Sequence, residues 1–168
     1  MQIMTTSRLS LTHLETEDAD FILTLMNDAD CIRHIGDKRI HTLAQAEDYI
    51  EKGPLASYAR FGFGLYKVSL RSGMAVGICG LLRREGMSDV EIGYALLPQH
   101  RGKGYAREAC QAVLKYGYQQ LGLNKIVAIV SEGNLPSEYL LQRLGLRYQQ
   151  HLALFAGEPP VQLFVPIH

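Results

Sequence analysis

The chain has 168 residues, 47% of them hydrophobic, enough for one well-buried core and too few for two comfortable domains, so residues 1–168 are expected to form a single domain. Lysine and arginine (17) balance aspartate and glutamate (17), which removes any whole-molecule field for nucleic acid or an anionic membrane and leaves only a local site for a polyanion. The opening MQIMTTSRLSL lacks a basic region followed by a long apolar core, and no run approaches a membrane span, so a cytoplasmic protein is expected. Three widely spaced cysteines, Cys31, Cys79 and Cys110, form neither a disulfide framework nor a zinc pattern and are expected reduced and mostly buried.

In chain order, RLSLTHL at 8–14 alternates apolar and polar residues like a half-buried strand. Thr16, with Glu17 and Asp18 behind it, starts a helix whose apolar set Phe21, Ile22, Leu25 and Met26 carries it to about Asp28. Thr42-Leu43-Ala44-Gln45 has the form of a capping box, and that second helix should run to the Gly53-Pro54 breaker, with a further turn around Leu55 to Ala59. Strands follow at 61–70, 75–84 and 88–97, with Phe61 and Phe63 alternating toward the core on the first. From Gly104 to Leu121 the apolar residues recur at helical spacing, KIVAIVS at 125–131 suits a strand buried on both sides, and a short helix fills 136–144. Two closing strands, 146–156 and 161–167, flank the turn at 157–160. The class is α/β with a mixed sheet, because hairpin-length turns give antiparallel neighbours and the strand, helix, strand unit from 88 to 131 gives a parallel pair.

The stretch LPQHRGKGYARE, from Leu97 to Glu108, stands out. Pro98 ends a strand, Gly102 and Gly104 leave backbone N–H groups bare, and a helix begins with its positive dipole end at the turn, as an anion nest requires. Arg101 and Lys103 add full charges beside it. The plain alternative is a glycine-rich turn with solvated cations. A Walker loop is excluded because G-x-x-x-x-G-K-[ST] does not occur, and a dinucleotide fold lacks its third glycine and first-strand position.

QHRGKGYA, at Gln99 to Ala106, resembles the Q/R-x-x-G-x-G/A signature of the GNAT family of N-acetyltransferases. S-R-L-S-L with E-D-A-D after it, V-E-I-G-Y-A-L at 90–96 and N-L-P-S-E-Y-L-L-Q-R-L-G-L at 134–146 look like the RimJ/RimL branch, which modifies N-terminal amines of ribosomal proteins. The four segments lie in the family's order and cover nearly the whole chain. The resemblance implies a GNAT fold, a mixed and mostly antiparallel sheet flanked by helices whose fourth and fifth strands, here near 90–96 and 125–130, splay apart to admit the pantetheine arm. It implies acetyl-CoA as co-substrate, no metal, and an amine acceptor, a peptide N-terminus or a small amine, that attacks the thioester directly. The coenzyme contacts it implies are Ile92, Gly93, Tyr94, Gln99, His100, Arg101, Gly102, Lys103, Gly104, Tyr105, Ala106, Asn134 and Ser137. The first two helices and their loop would wall the acceptor groove, making Arg33, His34 and Asp37 substrate contacts, with Lys38 and Arg39 beside them.

An alkyl ammonium with a pKa of about 10 must lose a proton before it attacks. Glu91 is the candidate base: strand alternation puts Glu91, Gly93 and Ala95 on one face, leaving room beside the carboxylate, and Val90, Ile92, Tyr94 and Leu96 on the other. Its alternative is a solvated strand glutamate. A backbone N–H near Ile92 to Tyr94, freed by a bulge at Gly93, would hold the oxyanion. The family tyrosine seven residues after the motif asparagine is Leu141 here, so the usual acid is absent, and Ser137, Tyr139 or water is left to protonate the sulfur. Leu141 also keeps open a coenzyme-A-binding module with little catalysis. Cys31, His34 and His41 lack the second pair of a metal site, and Tyr116 and Tyr118 read as packing rather than a base-stacking platform. A monomer and a homodimer are both compatible with the sequence.

Overall fold

The computed structural model describes residues 1–35 and 38–167, with the backbone alone for 34 and 35. Eight strands form one sheet in the order β1-β2-β3-β4-β5-β6-β8-β7. They are β1 (Gln2–Thr5), β2 (Leu9–His13), β3 (Leu65–Leu70), β4 (Ala75–Leu82), β5 (Val90–Leu96), β6 (Ile126–Ser131), β7 (Leu146–Leu152) and β8 (Val161–Pro166). Every neighbouring pair is antiparallel except β5 and β6. The helices are α1 (Ala19–Met26), α2 (Ala29–Ile35), α3 (Leu43–Ile50), α4 (Ala56–Phe61), α5 (Tyr105–Gln119) and α6 (Leu135–Arg143). Ala19, Ile22, Leu25, Ala46 and Ile50 from α1 and α3 pack with Leu65, Ile78 and Ala95 on one face of the sheet. On the other, Ala109, Cys110 and Val113 of α5 and Leu141 of α6 pack with Tyr66, Val68, Leu81, Ile92 and Ile126. The expected mixed, mostly antiparallel sheet between helices is the observed one.

Local chemistry explains most of these elements. At the start of α3 the Thr42 hydroxyl accepts from the Gln45 N–H at 3.1 Å and Gln45 Oε1 accepts from the Thr42 N–H at 3.2 Å, a complete capping box. Gly53-Pro54 does not break the chain as expected. Residues Glu51–Leu55 form a π turn with Pro54 buried inside it, and its wider hydrogen-bond ring carries the helix into α4 despite the proline's missing N–H. The strand expected from 61 therefore begins at Leu65; Phe61 closes α4, and its ring stacks on Phe63 at 5.8 Å in the connecting loop.

Two elements are additional. β1 is a short edge strand paired with β2, too brief for its alternation to register. α2 begins where Asp28 Oδ2 accepts the Cys31 N–H at 3.2 Å, a side-chain cap without an apolar run behind it. Among the described residues no helix is long and apolar enough to cross a membrane.

Candidate active site

The β5–β6 pairing positions the site. Val90 pairs with Ile126 and Glu91 with Val127, and there the parallel ladder stops. Beyond it β6 pairs with β8 through Ala128–Ser131, while β5 stays on β4 to Leu96. The two strands splay, as the family resemblance implied. The Leu97 N–H donates to the Val76 carbonyl at 2.9 Å, and counting back by twos in the same register makes Ala95, Gly93 and Glu91 the residues bonded to β4. The N–H and C=O groups of Ile92, Tyr94 and Leu96 therefore point away from β4; the Glu91–Val127 rung takes the Ile92 N–H, and the edge is open from the Ile92 C=O to the Leu96 N–H. The β4–β5 register runs through Gly93 without a shift, so the expected bulge is absent, and the free backbone comes from the splay instead.

At one end of the opening lies the glycine turn. Pro98–His100 make a single 3-10 turn, Gly102 has φ 76° and Gly104, the residue before α5, has φ 84°. Both angles lie in the left-handed region that costs an L side chain about 1–2 kcal/mol. Because Glu108 is the first residue of the helix whose N–H finds a turn carbonyl, that of Gly104 at 3.1 Å, the N–H groups of Tyr105, Ala106 and Arg107 stay available at the positive end of α5. Gln99, Gly102, Lys103 and Gly104 are exposed around them. His100 is buried, and its Nδ1 has no hydrogen-bond partner among the described residues.

Arg101 is placed differently from the expectation that its charge would lie beside the anion. Its Nε donates to the Leu96 carbonyl at 3.1 Å, Nη1 to Asp30 at 2.8 Å and Nη2 to Asp28 at 2.5 Å, so the guanidinium ties the turn to the start of α2. Burial raises the Asp28 carboxyl, but the bonds from Arg101 and the Cys31 N–H, with the Arg101 charge, bring it below its ordinary value. Sequence reasoning missed the other tie. Arg8 Nη1 donates to the Lys103 carbonyl at 2.9 Å, and Arg8 Nε pairs with Glu108 at 2.7 Å. The Arg8 guanidinium also lies 4.7 Å from the centre of the Tyr105 ring. These contacts span about a hundred positions of sequence, so only the S-R-L resemblance hinted at Arg8.

Midway along the opening, Tyr94 from β5 and Ser137 from α6 share a hydrogen bond of 2.6 Å between their hydroxyls. Burial pushes the Tyr94 phenol up to about 12, against a smaller lowering by Ser137. Asn134 caps α6, its Oδ1 facing the Ser137 N–H at 3.5 Å. The structure does not bring Tyr139 to this pair: its hydroxyl accepts from Arg143 at 2.5 Å on the outer surface of α6. Leu141, where the family tyrosine would stand, is core, 2% exposed.

On the opposite face of β5, Glu91 is 3% exposed rather than solvated. Arg84 Nη2 reaches its Oε1 at 2.5 Å, and Arg84 stands over the Phe155 ring at 5.2 Å. The β4–β5 register made this pair findable: Glu91 sits opposite Leu82, which makes Arg84 its diagonal neighbour on the same face. Lys38 lies close by, its ammonium held below the ordinary value by desolvation and then by the Arg84 charge. Arg33 is exposed on α2, whereas the His34 side chain and Asp37 lie outside the described residues. Among the described residues no group of three His, Cys, Asp or Glu side chains gathers as a metal site would require.

A sheet split at one parallel pair, with a helix start carrying free N–H groups at the split and polar side chains on both faces of the split strand, is the arrangement the sequence resemblance implied. The acetyltransferase (GNAT) domain model matches residues 8–147, and the chain belongs to that family. It is an acyltransferase whose donor is acetyl-CoA. Its sequence is 32% identical to the N-acetyltransferase p20 of Bacillus licheniformis, over 88% of this chain and 83% of that protein. A GnaT-family acetyltransferase from Bordetella pertussis superposes with a TM-score of 0.81 at 28% identity, covering 99% of each chain. The ribosomal alpha-N-protein acetyltransferase RimL, solved in complex with coenzyme A, shares the fold at a TM-score of 0.83 and 15% identity, covering 98% of this chain and 96% of its own.

Proposed function

We propose that residues 1–168 act as one catalytic domain that N-acetylates a primary amine, a peptide N-terminus or a small amine, by direct attack on acetyl-CoA in a ternary complex. The observation that carries this reading is the opening between β5 and β6, which begins just past Glu91 and has a hydroxyl pair on one face and a buried carboxylate on the other. The α5 start and the Gly102–Gly104 turn would take the pyrophosphate, and the free edge of Ile92 and Tyr94 would pair with the pantetheine arm.

The amine loses its proton to Glu91, directly or through one water, and its lone pair forms the bond to the carbonyl carbon. The carbonyl electron pair moves onto oxygen, which an N–H of β5 facing the opening can hold. As the tetrahedral centre collapses the C–S bond breaks, its electron pair goes to sulfur, and sulfur takes a proton through Ser137. A phenol is the better acid of the two hydroxyls, so Tyr94 donates to Ser137 Oγ and leaves the serine hydrogen free to point at sulfur. The tetrahedral nitrogen loses its second proton to solvent, which also restores the serine proton and receives the one held by Glu91. The net change is one amide, one free thiol and one proton released from the ammonium. All three cysteines are buried free thiols, as suits a reducing, cytoplasmic setting.

The test follows free thiol from acetyl-CoA against pools of small amines, polyamines and peptides with free N-termini. Release that depends on one pool is expected; silence from every pool with acetyl-CoA binding intact would refute the reading.

A further inference from the structure

On the α1 to α4 side of the sheet, a cavity of about 280 Å³ opens between the π turn, α4 and the end of β4. Its floor includes Leu65 and Leu82, whose methyl carbons lie 3.8 and 3.3 Å from where a Cβ on Gly93 would stand. The cavity floor is thus packed directly against β5, on the face that carries Glu91.

The residues that line it include three basic ones, Lys52, Arg60 and Arg83, and no carboxylate. Lys52 is answered from outside the cavity by Asp48, one helical turn away at 3.0 Å. The two arginines have no such answer. Arg60 lies over the Phe61 ring at 5.0 Å, and Arg83 Nη1 reaches only the Ser88 carbonyl at 3.3 Å. Among the described residues neither guanidinium has a carboxylate partner. Toward Glu91 the excess continues, because Arg84 and Lys38 stand against that one carboxylate. A guanidinium in a concave, partly apolar wall is less screened than one in open solvent, and its planar fork suits an oxyanion.

We propose that the acceptor carries an anionic group, a carboxylate or a phosphate, that seats in this cavity on Arg60 and Arg83 while its amine reaches β5 beside Glu91. The cavity volume admits a group of side-chain size, so the acceptor is a small anionic amine. A polyamine would meet like charge throughout this wall and is selected against. The inference rests on the N-acetyltransfer reading above and narrows its acceptor.

The experiment compares matched acceptors: glutamate with its diamide, an amino sugar with its phosphate ester, and spermidine, each followed by thiol release at low and raised salt. The anionic member of a pair should have a kcat/KM about 10-fold or more above its neutral partner, with the advantage shrinking as salt rises. Which pair shows the larger ratio separates carboxylate from phosphate. In Arg60→Ala/Arg83→Ala, two exposed positions whose loss should leave the melting temperature near wild type, that ratio should collapse toward one through KM for the acceptor, with KM for acetyl-CoA unmoved. Preference for spermidine, or an anionic advantage that survives in the double variant, overturns the proposal. If no amine releases thiol, the reaction itself has failed, and calorimetry then decides the cavity: glutamate and inorganic phosphate are titrated into enzyme loaded with coenzyme A. Binding lost in the double variant upholds the anion site, and no heat from either probe in the wild type overturns it.

Discussion

The two faces of β5 achieve their polarity by different means. On the side proposed for the coenzyme the work is done by backbone: two left-handed glycines, a helix start with free N–H groups, and a strand edge released by the splay from β6. On the side proposed for the acceptor it is done by side chains, with Glu91 locked to Arg84 and further cations on the π turn, on α4 and just past the end of β4. A backbone site needs particular residues at adjacent positions, so it leaves a compact signature. A side-chain site needs only that distant residues meet, so its signature is scattered. Specificity can then drift on one face while the other keeps the coenzyme.

Removing the proton acceptor should separate the faces most sharply. In Glu91→Gln, kcat should fall about 100-fold, within the range for a general base, while calorimetric affinity for acetyl-CoA stays near wild type. Unchanged turnover at all pH values would remove Glu91 from the mechanism. Gly104→Val acts on the opposite face. It forces a β-branched residue into φ 84° and sets its Cβ 3.1 Å from Arg8 Nη2, so coenzyme affinity should drop about 10- to 30-fold, read by the same calorimetry. A loss of kcat without a loss of affinity would show that the turn positions chemistry rather than phosphate.

The contrast explains what could be read from the chain beforehand. The glycine turn, the Thr42–Gln45 capping box and the alternation of β5 rest on neighbours within a few residues, and the structure places each of those elements where local rules put it. Pro54 misled because a π turn, invisible to simple helix periodicity, absorbs it. Gly93 suggested a bulge on composition, whereas the freedom of that edge comes from β6 leaving for β8, a tertiary event. Arg101 looked like a phosphate ligand because its local context is basic, yet Asp28 and Asp30, some seventy residues away, claim it. Tyr94 was recognisable as part of a coenzyme strand, but its bond to Ser137 joins positions more than forty residues apart and needed the fold.

That bond makes a smaller, cleaner test of the coenzyme side. Tyr94→Phe keeps the ring that packs beneath the opening and deletes only the hydroxyl that orients Ser137. One neutral hydrogen bond is worth about 0.5–1.5 kcal/mol, so kcat should fall about 2- to 10-fold with acetyl-CoA affinity little changed. With acetyl-seleno-CoA, whose leaving selenolate has little need of a proton, the difference from wild type should shrink. A deficit of equal size with both donors would make Tyr94 structural.

The smallest effect concerns the clamp that holds the glycine turn. Glu108 accepts from Thr6 Oγ1, from the Arg8 N–H at 3.0 Å and from Arg8 Nε at 2.7 Å. Burial raises its carboxyl, but those three bonds and the Arg8 charge outweigh it, leaving the group below its ordinary value of 4.5. A carboxyl depressed in the folded state contributes stability that is fully present above the ordinary value and is lost as pH falls through the folded one, because the unfolded chain takes up the proton first. The pair is part-exposed, so its worth at neutral pH is at most about 1 kcal/mol, or about 2–4 °C in a chain of this size. Glu108→Gln should lower the melting temperature by that amount at pH 7, with the gap from wild type closing as the pH drops below the ordinary carboxylate range. A gap that held constant into acid would mean that the clamp works through its geometry and not through the charge on Glu108.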